Sequence, residues 1–249
     1  MALVQMNYSS RVLGMNTVIH AILPDNVPLS RCNVVYLLHG LTDNSTGWLR
    51  YTSCERYARE RNLAVVLPEV QRSFYIDGVY GLNYFTYVSA ELPEAMAHFF
   101  GLSREREKNY IMGLSMGGYG ALKCALTYPE RYAGCGSFSG VTDLDAYRQR
   151  SAIALQEKEL TALLGQEQTV APENDLSALL KQASSLPPIY LSCGEDDPHY
   201  PANCRFARQL EQQQCRFRFD HRPGGHSWDF WDRSIQDCFR TFFDKPNFK

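Results

Sequence analysis

Asn109-Tyr-Ile-Met-Gly-Leu-Ser-Met-Gly-Gly-Tyr-Gly-Ala-Leu-Lys-Cys-Ala-Leu-Thr-Tyr128 reads as a strand, a serine set between glycines, and a helix. Tyr110, Ile111 and Met112 form a short apolar run of the kind buried in a parallel sheet. Beyond them Tyr119, Leu122, Ala125 and Leu126 recur at helical spacing until Pro129 stops the pattern. At the centre, Gly113-Leu-Ser-Met-Gly117 has the G-x-S-x-G form, in which the serine sits on a strained strand-to-helix turn and the glycines admit close backbone packing. A serine raised in this way can reach a bound carbonyl. A match this short also arises by chance, and the bland alternative is a glycine-rich turn with an idle serine, so the surrounding chain has to decide. The similar run at 136–140 is out of register with such a turn.

Outward from the elbow, strand, helix and strand alternate. Residues 2–9 and 15–23 read as two strands joined by a turn and paired at an antiparallel edge. The run at 33–38 is too uniformly apolar for a half-exposed strand and is expected at the centre of the sheet. A charged amphipathic helix over 53–62 leads to a buried strand at 63–68. Residues 71–85 form a loop whose aromatic residues are expected either to line a mouth above the sheet or to pin the loop, and a helix over 86–100 is kinked or restarted at Pro93. After the elbow helix come a strand at 132–139, then residues 141–186, then a strand at 188–193, a helix over 203–213, a strand at 215–220 and a closing helix to about 243. The 141–186 segment is polar and helix-forming, with Leu144, Tyr147, Leu155, Leu160, Leu163 and Leu164 as a loose apolar stripe, a break at 165–173 and a short helix from Asp175. It reads as a cap-like insertion in a single α/β domain spanning 1–249, with a mostly parallel central sheet and helices on both faces.

Composition narrows the partner. In 249 residues, 25 basic and 27 acidic side chains leave a net charge of -2 with no basic run, which argues against nucleic acid and anionic membranes and for a small molecule. No stretch approaches the eighteen or so apolar residues of a membrane span, and the N-terminal residues lack both a basic region and a long apolar core, so a cytoplasmic protein is expected. The eight cysteines are scattered without C-x-x-C spacing, as reduced thiols filling a core would be. Edge strands and the insertion leave surface for self-association into a homo-oligomer.

A serine hydroxyl needs a base, and a histidine base needs a carboxylate to fix its tautomer. Ser115 ends one strand, Asp196 or Asp197 ends a later one, and His226 lies in the loop after the last, so the three stand at carboxyl ends of strands in the order Ser…Asp…His. Of the six histidines, His226 alone is bracketed by a glycine and a helix start. The strand at 33–38 runs into His39-Gly40-Leu41, where the Leu41 amide is expected to join that of Met116 in an oxyanion hole. His39, Gly40 and Trp48 are the candidate substrate contacts, and ordinary packing is the competing role for both side chains.

Together Tyr36-Leu-Leu-His-Gly-Leu41, Gly113-Leu-Ser-Met-Gly-Gly118, Cys193-Gly-Glu-Asp-Asp197 and Gly225-His-Ser-Trp228 resemble the esterase D group of α/β-hydrolases, and most closely its tributyrin-esterase branch of short-chain acyl esterases. The resemblance spans nearly the whole chain outside 141–186. It implies an α/β-hydrolase fold and a serine carboxylesterase acting on a small-molecule ester, with Ser115 as nucleophile, Asp197 as acid, His226 as base, the Leu41 and Met116 amides as oxyanion donors, and no metal or organic cofactor. Feruloyl or acetylxylan esterase is the runner-up activity. S-formylglutathione hydrolase is also related, although Asp43 stands where those enzymes usually carry a cysteine. A catalytically silent binding module would be expected to lack one of the three residues, and none is missing.

Overall fold

The computed structural model describes residues 1–150, 154–166, 169–244 and 248. Eight strands form one sheet: β1 (Ala2–Ser10), β2 (Met15–Leu23), β3 (Val34–Leu38), β4 (Ala64–Pro68), β5 (Asn109–Leu114), β6 (Gly134–Phe138), β7 (Ile189–Gly194) and β8 (Phe217–Arg222), in the order β1-β2-β4-β3-β5-β6-β7-β8. The β1–β2 and β2–β4 pairs are antiparallel and every later pair is parallel. The β1–β2 hairpin is antiparallel as expected, with Ala2 opposite Leu23 through Ser10 opposite Met15.

The helices are α1 (Gly47–Tyr51), α2 (Cys54–Arg59), α3 (Tyr84–Thr86), α4 (Leu92–Phe100), α5 (Met116–Thr127), α6 (Leu144–Arg150), α7 (Ala154–Leu164), α8 (Leu176–Gln182), α9 (Tyr200–Gln212) and α10 (Trp228–Phe239). All five residues of β3 are buried because its alternating side chains feed two cores. Val34, Tyr36 and Leu38 join the core that holds residues of α4 and α5 on one face, while Val35 and Leu37 join the core that holds residues of α1, α2 and α10 on the other. Two buried faces explain an apolar run without alternation.

Local departures from the expected elements have local causes. Between α3 and α4 the chain makes a π-helical turn over Tyr87–Glu91, and Pro93 falls in the first turn of α4. Pro93 has no N–H for the Ser89 carbonyl, and the Arg131 guanidinium donates to that oxygen instead at 2.9 Å. Helix α9 starts three residues before its expected 203, since Pro201 is tolerated in a first turn. The last strand is displaced by two residues from its expected 215–220.

In the insertion, Leu144, Leu160 and Leu164 are buried and Tyr147 and Leu163 partly so, whereas the expected stripe member Leu155 has its side chain outside the described set. Asp175 caps α8, accepting the Ser177 amide at 2.9 Å. Tyr119 and Lys123 of the elbow helix reach Asn174, the hydroxyl donating to its carbonyl at 2.8 Å and the ammonium to its side-chain oxygen at 2.6 Å. The aromatic loop does not line a mouth. Phe74, Tyr75 and Tyr84 are buried and pin the loop to the core, and Tyr80 points to solvent.

All eight cysteines are free thiols. Burial pushes Cys54 up to about 11 and Cys124 to about 12, which keeps them unreactive near neutrality. Among the described residues no helix is long and apolar enough to cross a membrane.

Candidate active site

Strand β5 delivers Ser115 with φ 53° and ψ −117°, a region that residues with a side chain seldom occupy and that costs on the order of 1–3 kcal/mol. Its neighbours hold it there. The Ser115 amide donates to Phe138 O at 2.8 Å, and its carbonyl accepts from the Tyr119 amide at 3.1 Å and the Val141 amide at 3.3 Å. The motif glycines are steric requirements: a Cβ on Gly117 would lie 2.5 Å from Leu38 O, and one on Gly113 2.4 Å from Gly117 O.

Across the carboxyl edge of the sheet, Ser115 Oγ lies 3.0 Å from His226 Nε2, and His226 Nδ1 lies 2.8 Å from Asp197 Oδ2. The other Asp197 oxygen accepts the His199 amide at 2.8 Å. A carboxylate can only accept, so Nδ1 carries the proton and Nε2 presents its lone pair to the serine hydroxyl. The Asp197 side chain is fully buried, which works against its charge. Hydrogen bonds and the field from His226, joined by the His199 amide and the Ser139 hydroxyl, outweigh that burial and hold its carboxyl below the usual range.

Trp231 stands edge-on to the His226 ring at 4.8 Å between centroids and donates its indole N–H to Ser139 Oγ at 3.1 Å. Asp196, the alternative acid, is exposed and faces away, accepting the Gly224 amide at 3.3 Å and tying down the histidine loop.

The loop after β3 crosses directly over the elbow, for a Cβ on Gly40 would lie 3.7 Å from Ser115 Cβ. Met116 opens the twelve-residue α5, so its amide points from a helix N-terminus toward the same space. Among the described residues neither the Leu41 nor the Met116 N–H donates to a protein acceptor.

Two expected substrate contacts are corrected. Trp48 is only 1% exposed, donates to Leu38 O at 3.0 Å and stands edge-on to Trp228, so it supports the loop from within the core. His39 is equally buried: Nδ1 donates to Gly40 O at 2.8 Å and Nε2 accepts the Val70 amide at 3.2 Å.

Further residues shape this loop, of which Glu69 and Arg72 went unmarked in the sequence. Tyr75, held at φ 53°, donates its hydroxyl to His39 O at 3.0 Å. Glu69, just past β4, accepts the Ser45 amide at 2.9 Å and the Gln71 amide at 3.0 Å, and lies 3.5 Å from His39 Nε2. Partial burial opposes the Glu69 carboxylate, but the Ser45 and Gln71 amides that it accepts hold its carboxyl below the usual range. Arg72 pairs through two nitrogens with Glu159 of α7, at 2.6 and 2.7 Å, and also approaches Leu41 O at 3.4 Å. Asp43 sits half-buried beside the loop, its carboxyl pushed up by burial against the fields of His39 and His226. A glutamate at a strand end and one tyrosine among many carry no local pattern that would single them out.

One group among the described residues has metal-ligand character: Asp197, His199 and His226 bring ligand atoms within 4.8 Å of one another. Zinc, with bonds of about 2.0–2.1 Å, would draw such atoms to roughly 3.4 Å. Asp197 is instead engaged by His226 Nδ1 and the His199 amide. With Ser115 beside it, the His226–Asp197 pair is placed so that a hydroxyl proton can pass to an imidazole whose positive charge a buried carboxylate would stabilise.

The family model described as "Putative esterase" matches residues 10–242. The chain is 32% identical over 261 residues to the acetyl esterase of Caldicellulosiruptor saccharolyticus, covering 96% of this chain and 97% of that one. It superposes on FphF, a fluorophosphonate-binding serine hydrolase of Staphylococcus aureus, with a TM-score of 0.91 at 31% identity, over 98% of this chain and 99% of that one. The S-formylglutathione hydrolase FrmB of the same organism gives a TM-score of 0.87, also at 31% identity and with the same coverage.

Proposed function

The chain belongs to the Esterase family, has the α/β-hydrolase fold and is a carboxylic ester hydrolase, and from that premise we propose that it is a serine carboxylesterase of short acyl esters in the tributyrin-esterase branch. The observation that carries the proposal is the continuous relay from Ser115 Oγ through His226 to buried Asp197, at 3.0 and 2.8 Å.

In this mechanism His226 Nε2 takes the hydroxyl proton as Ser115 Oγ bonds to the ester carbonyl carbon. The carbonyl oxygen becomes an oxyanion and accepts the Leu41 and Met116 amides. Collapse breaks the bond to the alcohol, which leaves with the proton from His226, and the acyl group stays on Ser115. Water then attacks the acyl-enzyme, gives its proton to Nε2, and the second collapse frees the acid and returns the proton to Ser115. Every step uses side chains and amides of this chain.

The short-acyl preference rests on two supports. The relative at 32% identity is an acetyl esterase. Among the described residues of the insertion, Leu144, Leu160 and Leu164 are turned into the core, with Leu160 1% exposed, so these positions offer no greasy surface to a lipid interface. We also place the single domain and its 141–186 cap, and a reducing cytoplasmic setting for eight free thiols, within this proposal.

Turnover of p-nitrophenyl esters from acetate to palmitate tests it: kcat/KM should peak at about two to six acyl carbons, since each methylene gains about 0.8 kcal/mol only where it can be buried. A peak at eight carbons or more would refute it. The second reading is hydrolysis of S-formylglutathione, favoured by the likeness to FrmB. Asp43 beside the oxyanion loop weighs against it, and a hundredfold preference for that thioester over butyrate would establish it.

A further inference from the structure

Strand β8 lies at a free edge of the sheet. The Ile189 amide donates to Arg216 O and the Glu195 amide to Arg222 O, both at 3.0 Å, so even-numbered residues along this strand turn their backbone groups toward β7. By the alternation of a parallel ladder, the N–H and C=O groups of Phe217, Phe219 and His221 face outward. Beside them, on the α9 side, runs an open groove of about 910 Å³ lined in part by Tyr200, Cys204, Ala207, Phe217, Phe219 and His221. An extended, aromatic edge without proline is a template for another strand.

We propose that the occupant is a second copy of this chain, with β8 pairing antiparallel to its own image about a two-fold axis through Phe219. Charge and hydrogen bonding select that register from its neighbours. Centring the axis on residue 218 would set Arg218 against Arg218 of the second copy, and centring it on 220 would set Asp220 against Asp220 of the second copy; like charges directly opposite one another are unfavourable. Both also leave one outward residue of the strand without an outward partner.

Centring on Phe219 pairs all three outward residues, Phe219 with its image and Phe217 with His221 of the second copy. It also places Arg218 opposite Asp220 of the second copy, twice by symmetry. These two side chains are part-exposed and already adjoin within one chain, Arg218 Nε donating to Asp220 Oδ1 at 2.8 Å while Asp220 Oδ2 accepts the Tyr190 hydroxyl at 2.8 Å. The pairing closes them into a ring of four alternating charges and joins two eight-stranded sheets into one. The two α9 helices then flank a shared groove on one face.

Light scattering on a sizing column should give twice the chain mass for the wild-type protein at micromolar concentration. Phe219→Pro removes an outward N–H and is compatible with an edge position. It should give a monomer whose far-UV circular dichroism and kcat/KM on a short ester stay within about twofold of wild type. Arg218→Asp and Asp220→Arg should each weaken the dimer, and the double exchange should restore it.

The register is read by cross-linking in a background with Cys204 and Cys215 changed to serine. Phe219→Cys meets its own image at a Cα spacing of about 5.5 Å, within disulfide range, and should give a covalent dimer under mild oxidant. Phe217→Cys, whose image lies four residues along the strand, should not. A wild-type protein monomeric at every concentration, a dimer indifferent to Phe219→Pro, or cross-linking at 217 in preference to 219 would overturn the proposal.

Discussion

The elbow at Ser115 and the loop after β3 nearly touch, yet they are built by different means. The elbow is shaped by what it contains: two glycines whose Cβ atoms would collide with backbone oxygens, and one serine in a strained conformation. The β3 loop is shaped by what surrounds it. Trp48 donates to Leu38 O, Tyr75 to His39 O, and Glu69 gathers the Ser45 and Gln71 amides beneath it. A site of this kind joins a rigid local device to one whose position is set by distant supports, and the two should fail differently when altered.

The largest expected effect tests the elbow. Ser115→Ala or His226→Ala should leave a folded protein whose kcat falls by about 10⁴ to 10⁶. A variant that keeps a tenth of wild-type turnover would break the relay and the comparison with it.

Next come the two adjacent acids. Asp197→Asn should cost about 10³ to 10⁴ in kcat, because the amide can no longer fix the His226 tautomer, while Asp196→Asn should cost less than about tenfold. Measured on folded variants, the reverse ranking would move the acid to the exposed neighbour.

The loop should respond more gently. Tyr75→Phe removes one support from the His39 carbonyl and is expected to lower kcat by about tenfold with little change in KM, since a displaced oxyanion donor matters most in the transition state. A change confined to KM would mean that this loop binds substrate without stabilising the oxyanion.

The smallest effect is on acid stability. Glu69 and Asp197 have depressed pKa values in the folded state, so their contribution is complete above the ordinary carboxylate range and is lost as pH falls through the folded values. Urea unfolding of the wild-type protein should therefore show stability falling between about pH 4.5 and 2, and Glu69→Gln should flatten that fall. An unchanged slope would show that the buried network does not hold Glu69 ionised.

The same contrast separates what could be read in the chain from what could not. Strand β2 was expected at 15–23 and is found at Met15–Leu23, because alternation and turn residues act on near neighbours. Ser115 and His226 stand out because one follows a strand between glycines and the other follows a glycine just ahead of a helix, whereas the acid lay in the turn after β7 with Asp196 and Asp197 as neighbours. Trp48 and His39 were misplaced for the opposite reason: nothing adjacent to an indole or an imidazole tells whether its polar edge meets a ligand or a buried carbonyl. The aromatic loop at 71–85 stayed open between two roles, since a tyrosine that lines a mouth and one that pins a core have the same sequence.

By itself the sequence determined the alternating elements, the strained serine turn, the order Ser…Asp…His at the strand ends and the balance of charge, most of which follow from steric and hydrophobic patterns over a few residues. Only the tertiary structure decided that His226 reaches a serine 111 positions away and an aspartate 29 away, that Asp196 faces away from them, and that Tyr75 and Glu69 support the loop after β3. Those contacts join segments far apart in the chain, and they exist only because one twisted sheet carries the ends of its strands to a common edge.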